Sequence, residues 1–86
     1  MSGKDKLIRR FLSKPKDFTY DELQILVQGF GYSEMKQGRT SGSRVAFWNE
    51  ASRHLIRLHK PHPHNILRRY QLDFLVDELK NKGFIP

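Results

Sequence analysis

"SRVAFWNEASRHLIRLHK", residues 43–60, is the stretch whose reading decides the fold. In its first half Val45 and Phe47 alternate with Arg44, Ala46 and Trp48. In its second half Ile56 and Leu58 alternate with Leu55, Arg57 and His59. Side chains of a strand point to opposite faces in turn, so the period of two predicts strands over 43–49 and 54–60. "NEAS" between them turns the chain, which makes the pair an antiparallel hairpin. If Val45, Phe47, Ile56 and Leu58 lie beneath helices, the other face is open and carries Arg44, Trp48, Arg57 and His59. A slip of one residue would exchange the two faces, bringing Trp48 into the core and turning Phe47 outward.

Working outward, "YSEMKQ" reads as a weakly patterned first strand and "GRTSG", residues 38–42, as a flexible turn. Upstream, "FTYDEL" offers Thr19 as an N-cap with Glu22 three residues on, a capping box, and Phe18 and Leu23 fall at the positions of a hydrophobic staple. Leu23, Leu26 and Val27 continue as a buried helical stripe with Ile25 on its flank. Gly29 is expected at C′, with Phe30 folding back on Ile25. The helix is therefore placed at about 20–28. Leu7, Ile8, Phe11 and Leu12 make the apolar stripe of an earlier helix, 3–13, ringed by Lys4, Lys6, Arg9 and Arg10 and stopped by Pro15. After the hairpin, "PHPHN" breaks the sheet, because two prolines cannot serve a central ladder. A last helix follows with Tyr70 and Phe74, then Leu75 and Leu79, as its apolar rows, and ends near Lys82–Gly83. Asn65 caps it, or residues 65–69 form a turn before it. The order is α-α-β-β-β-α: an α+β fold with a three-stranded antiparallel sheet and helices on one face.

With 86 residues the chain is read as a single domain, 1–86, with a thin core. It has no cysteine, so neither a disulfide nor a thiolate metal site braces it. No apolar run approaches the ~18–20 residues of a membrane span. "MSGKDKLIRRFLSKPK" lacks the apolar core and cleavage site of a signal peptide, so a cytoplasmic location is expected. Lys and Arg number 16 against 9 Asp and Glu, a net charge of +7. In so small a domain that excess points to a polyanion, nucleic acid first and an acidic protein second.

Three features carry candidate chemistry. "RLHKPHPHN", residues 57–65, gathers His59, His62 and His64. Imidazole titrates near neutrality, so His59 or His62 is suited to proton transfer at a phosphodiester, with Arg57 and Lys60 as neighbouring cations. The bland reading is a surface turn without a role. A metal is disfavoured, since the cluster has no nearby carboxylate, sits among cations and lacks helical His spacing. Trp48, beside Arg44 and His59, is either a stacking platform for a base or a core residue. Arg39, Arg44, Arg53, Arg57 and Lys60 gather on or beside the sheet as phosphate contacts. Arg68, Arg69, Lys80 and Lys82 alternate with acids and read as a solvated face.

Residues 20–83 resemble the HicA family of toxin ribonucleases. "DELQILVQGFGY" is similar to the family's first helix and its Gly-Phe turn. "GSRV", 42–45, stands where the family has Gly-Ser-His. "KPHPHNILRRYQLDFLVDEL" resembles the family's Pro/His turn and closing helix. The helix 3–13 lies outside the likeness and is an added element. The resemblance implies a double-stranded-RNA-binding-like fold, an mRNA interferase that cuts RNA without metal or other cofactor, and an acidic HicB-type antitoxin as partner. Spacing to the last helix matches His62, or equally His59, to the histidine of the family's Pro/His turn; the catalytic roles expected of His59 and His62 and the RNA contacts expected of Arg39, Arg44, Trp48, Arg57 and Lys60 rest on the residue chemistry above. The family's catalytic histidine is replaced here by Arg44, which grips a phosphate but releases no proton near neutral pH. A non-catalytic RNA-binding module, or a module that docks an acidic protein, are the alternatives this departure raises.

Overall fold

A computed structural model describes residues 3–35, 44–61 and 64–86, with the side chains from Asp5 onward. Its elements are α1 (Gly3–Leu12), α2 (Tyr20–Gly29), β1 (Tyr32–Met35), β2 (Arg44–Asn49), β3 (His54–His59) and α3 (Arg69–Asn81). The chain is thus an α+β protein with the order α-α-β-β-β-α. The sheet order is β1-β2-β3, antiparallel throughout. In the hairpin Arg44 pairs with His59, Val45 with Leu58, Ala46 with Arg57, Phe47 with Ile56 and Trp48 with Leu55. Phe47, Ile56 and Leu58 are buried, and Val45 packs half-buried at the margin of the same cluster. Leu23, Leu26 and Val27 of α2 and Leu72, Leu75 and Leu79 of α3 complete that cluster, so the helices cover one face of the sheet.

The start of α2 is built as its sequence requires. The Thr19 hydroxyl accepts from the Glu22 backbone N–H at 3.1 Å, and the Glu22 carboxylate accepts from the Thr19 N–H at 3.0 Å. Two donors at the helix start are satisfied reciprocally. Arg10 of α1 donates from Nε to the same carboxylate at 2.7 Å and from its second guanidine nitrogen to Asp17 at 3.1 Å. Phe11 meets Phe18 with centroids 5.5 Å apart. α1 is therefore anchored at the α2 entrance by the Phe11–Phe18 contact and the Arg10 ion-pair cluster, with Leu7, Ile8 and Leu12 packed against the core.

At the far end of α2 the structure corrects the expected cap. Gly29 is still helical, Phe30 is the C-cap, and Gly31 takes the left-handed turn at φ +98°. Asn49 reaches across from β2, and its amide donates to the Phe30 carbonyl at 2.9 Å. The helix runs one residue further than read, so Phe30 points past Ile25 and stacks on Phe84 at 5.3 Å. Ile25 is left 63% exposed.

A second correction concerns α3. Of the expected apolar rows, Leu75 and Leu79 are buried, but Tyr70 and Phe74 are exposed, at 66% and 42%. Leu72 and Val76 take their place inward. Leu72, Leu75, Val76 and Leu79 form an unbroken i, i+3, i+4, i+7 stripe, and a helix buries the row that is continuous with its neighbours. Asn65 is not the cap. Its carbonyl accepts from Tyr20 N–H at 2.9 Å, and Leu67 N–H donates to the Phe18 carbonyl at 2.8 Å. Residues 65–68 are thus held against the α2 entrance before the helix begins, the turn alternative of the sequence reading. The helix ends at Lys82, with Gly83 at φ +79°.

Candidate functional site

The face of the sheet turned away from the helices, the open face among the described residues, carries Ser33 and Met35 from β1, Arg44, the buried Ala46 and Trp48 from β2, and Leu55, Arg57 and His59 from β3. Arg44 and His59 are directly opposite, and Arg57 is two pairs further along the ladder, the next β3 position on the same face. Opposed residues of an antiparallel pair stand ~4.5–5.5 Å apart at Cα, close enough for side chains to share one ligand atom group. All three are exposed. Arg44, Arg57 and His59, with Val45 and Leu58 behind them, line a shallow pocket of about 270 Å³ at this end of the hairpin. Neither arginine is held by a carboxylate among the described residues, which leaves both guanidinium groups available to an anion.

Trp48 stands four pairs along the ladder from Arg44, on the same face. It is half-buried, and its indole N–H donates to Glu50 at 3.1 Å, which fixes the ring's outer edge. Phe47 is fully buried, so the register is the one that leaves Trp48 on the open side. The backbone of His59 is held as well, its carbonyl accepting from the Gln71 amide of α3 at 2.8 Å. That bond ties the end of β3 to the helix layer while the imidazole stays on the exposed side.

The remaining candidates are placed differently. Lys60 leaves the strand, and its ammonium stands 5.3 Å from the Tyr20 ring centroid, a cation–π contact away from the open face. Arg53 sits exposed in the turn before β3 with φ 54°. His64 is exposed beyond the strand, in the bend before α3. Arg39 and His62 lie outside the described residues. Pro61, between Lys60 and His62, is buried, so the chain leaves β3 against the core.

Among the described residues, the histidine most embedded in the fold is one that the sequence reading did not single out. His54 Nε2–H donates to Glu78 of α3 at 2.9 Å. Its Nδ1 lies 2.5 Å from the Tyr32 hydroxyl, which donates to it when the ring is neutral. Burial pushes the Tyr32 hydroxyl up to about 12, reinforced by the negative charge of Glu78. The chain Tyr32–His54–Glu78 joins β1, β3 and α3 behind the open face and is a fastening. No helix among the described residues is long and apolar enough to cross a membrane. Comparison with models of protein families, with curated proteins and with solved structures gave no significant match.

Proposed function

We propose that the open face binds RNA and cleaves it, as in the HicA toxins that the sequence resembles. The observation that carries this reading is the register: it sets Arg44 opposite His59, with Arg57 at the next position of the same face, which also holds Trp48. The two arginines grip a phosphate, and Trp48 offers a ring to a neighbouring base. His59, neutral, takes the proton of the 2′-hydroxyl. The 2′-oxygen bonds to phosphorus, and the bond to the 5′-oxygen breaks as that oxygen receives a proton from a second acid, His62 or water. The products are a 2′,3′-cyclic phosphate and a 5′-hydroxyl, with no oxidant or metal required. Such a protein acts on cytoplasmic mRNA and is silenced by an acidic antitoxin of the HicB type.

The test is cleavage of a labelled RNA at neutral pH in excess chelator. The wild type is expected to cut. His59→Ala should lose ~10²–10⁴-fold in rate, the usual contribution of one general acid or base, and retain RNA at low salt. A wild type that binds RNA salt-sensitively but never cuts it overturns the nuclease reading. It leaves the second reading, a non-catalytic RNA-binding module, which Arg44 at the family's histidine position favours.

A further inference from the structure

A second concave surface lies between the α1–α2 loop and the start of α3, away from the open sheet face. Pro15 and Leu67 form its apolar floor, and Lys14, Lys16, Arg68 and Arg69 form its rim, around a volume of about 310 Å³. Leu67 is only 2% exposed, so it closes the bottom of the groove, and the apolar surface open to a ligand is that of the half-buried Pro15 and the aliphatic stems of the flanking Lys and Arg side chains. Lys14 adopts φ 52°, which carries its ammonium to Asp73 at 2.6 Å. Arg69 reaches the same carboxylate at 3.4 Å. Hydrogen bonding from Lys14 holds the Asp73 carboxyl below its ordinary range. Lys16 and Arg68 are exposed and have no carboxylate partner among the described residues. The rim thus sets four cations against the single carboxylate of Asp73. The nearby Asp17 is engaged by Arg10 at 3.1 Å.

We infer that this groove docks an acidic peptide segment of a partner protein that inserts one large apolar side chain between the cations. Charge complementarity selects the partner's sign, and the aliphatic floor selects the inserted side chain. A second copy of the chain is a poor occupant, because at +7 it brings more cations to a cationic rim. RNA finds phosphate contacts here but no ring in the floor to stack on. An anionic membrane meets a concavity where binding needs projecting apolar groups. The inference concerns a separate surface and stands without the RNA reading of the sheet.

The experiment titrates the full chain against a short labelled peptide of alternating Glu and Gly with one central Phe, followed by fluorescence anisotropy at low salt. Saturable binding is expected. It should weaken about tenfold or more in Lys16→Ala/Arg68→Ala, which removes two charge-assisted contacts. It should weaken similarly when the peptide's Phe is replaced by Ala, and stay unchanged in Lys80→Ala/Lys82→Ala at the other end of α3. Thermal melts of both double variants should match the wild type, since none of the four side chains is buried. Several results overturn the proposal: no saturable binding, equal binding of the Phe-free peptide, or equal loss in both double variants. It also fails if Lys16→Ala/Arg68→Ala spares the peptide but selectively weakens RNA, anionic vesicles or self-association.

Discussion

At the scale of single residues, neighbouring aromatic positions in β2 do opposite work. Phe47 is fully buried between the sheet and the helices, with the Tyr20 ring 6.0 Å away. Trp48 faces the other way and is fixed by Glu50. Phe47→Ala should therefore cost ~3–5 kcal/mol of stability, the range for a deleted core ring. Trp48→Ala should cost much less stability and instead weaken RNA binding by ~1–3 kcal/mol if a base stacks there. Denaturant melts and filter binding on the two variants separate these effects. An RNA affinity unmoved by Trp48→Ala would remove the stacking role. Arg44→Ala and Arg57→Ala belong to the same scale: each should flatten the salt dependence of RNA binding by about one phosphate contact, a slope change of ~0.7 for a single strand. The histidines divide in the same way. His59 presents its ring to the open face, His64 lies beyond the strand, and His54 is spent on the fold.

At the scale of elements, the entrance of α2 joins a helix cap to an ion pair from a second helix. The Thr19 cap, the Glu22 carboxylate and Arg10 share one cluster. Thr19→Ala should cost ~1 kcal/mol, read as a lowered thermal midpoint. The hydrogen bond from Arg10, aided by the Thr19 backbone N–H, holds the Glu22 carboxyl below its ordinary range against the cost of burial. A carboxyl depressed in the folded state stabilises the fold above its unfolded value, here about 4.5. As pH falls below that, the unfolded chain takes up the proton first, and the stabilisation is lost as pH passes through the lower folded value. Melts between pH 7 and 3 should show this acid loss in the wild type. In Glu22→Gln the acid slope should be shallower and the stability at pH 7 lower. An acid slope identical in the two proteins would show that Glu22 titrates alike in both states. In α3, Leu75→Ala should cost ~2–5 kcal/mol, whereas Tyr70→Ala, on the exposed side, should stay within ~0.5 kcal/mol. Equal destabilisation by the two would contradict the helix phase.

At the scale of the whole molecule, local rules in the sequence were enough for the order of elements, the hairpin and its two faces, and the α2 cap. Period-two alternation in 43–60 and the Thr19–Glu22 spacing are properties of residues within a few positions of one another, so no distant contact is needed to read them. The shared face of Arg44, Trp48, Arg57 and His59 was legible for the same reason: burying Phe47 and Ile56 commits every alternate side chain to the opposite face. Tertiary structure alone decided the rest. Two apolar rows of α3 competed, Tyr70/Phe74 and Leu72/Val76, and only the surface offered by the sheet and α2 selected the second. The end of α2 was moved by Asn49, which is distant in sequence and reaches the Phe30 carbonyl. Lys60 was drawn off toward Tyr20 by a ring forty positions upstream. The Tyr32–His54–Glu78 fastening and the groove at Pro15 and Leu67 join segments with no local signal in common. Periodicity and caps record what a residue meets within a turn or a strand, whereas rotational phase, helix ends and side-chain clusters depend on which distant surface arrives to cover them.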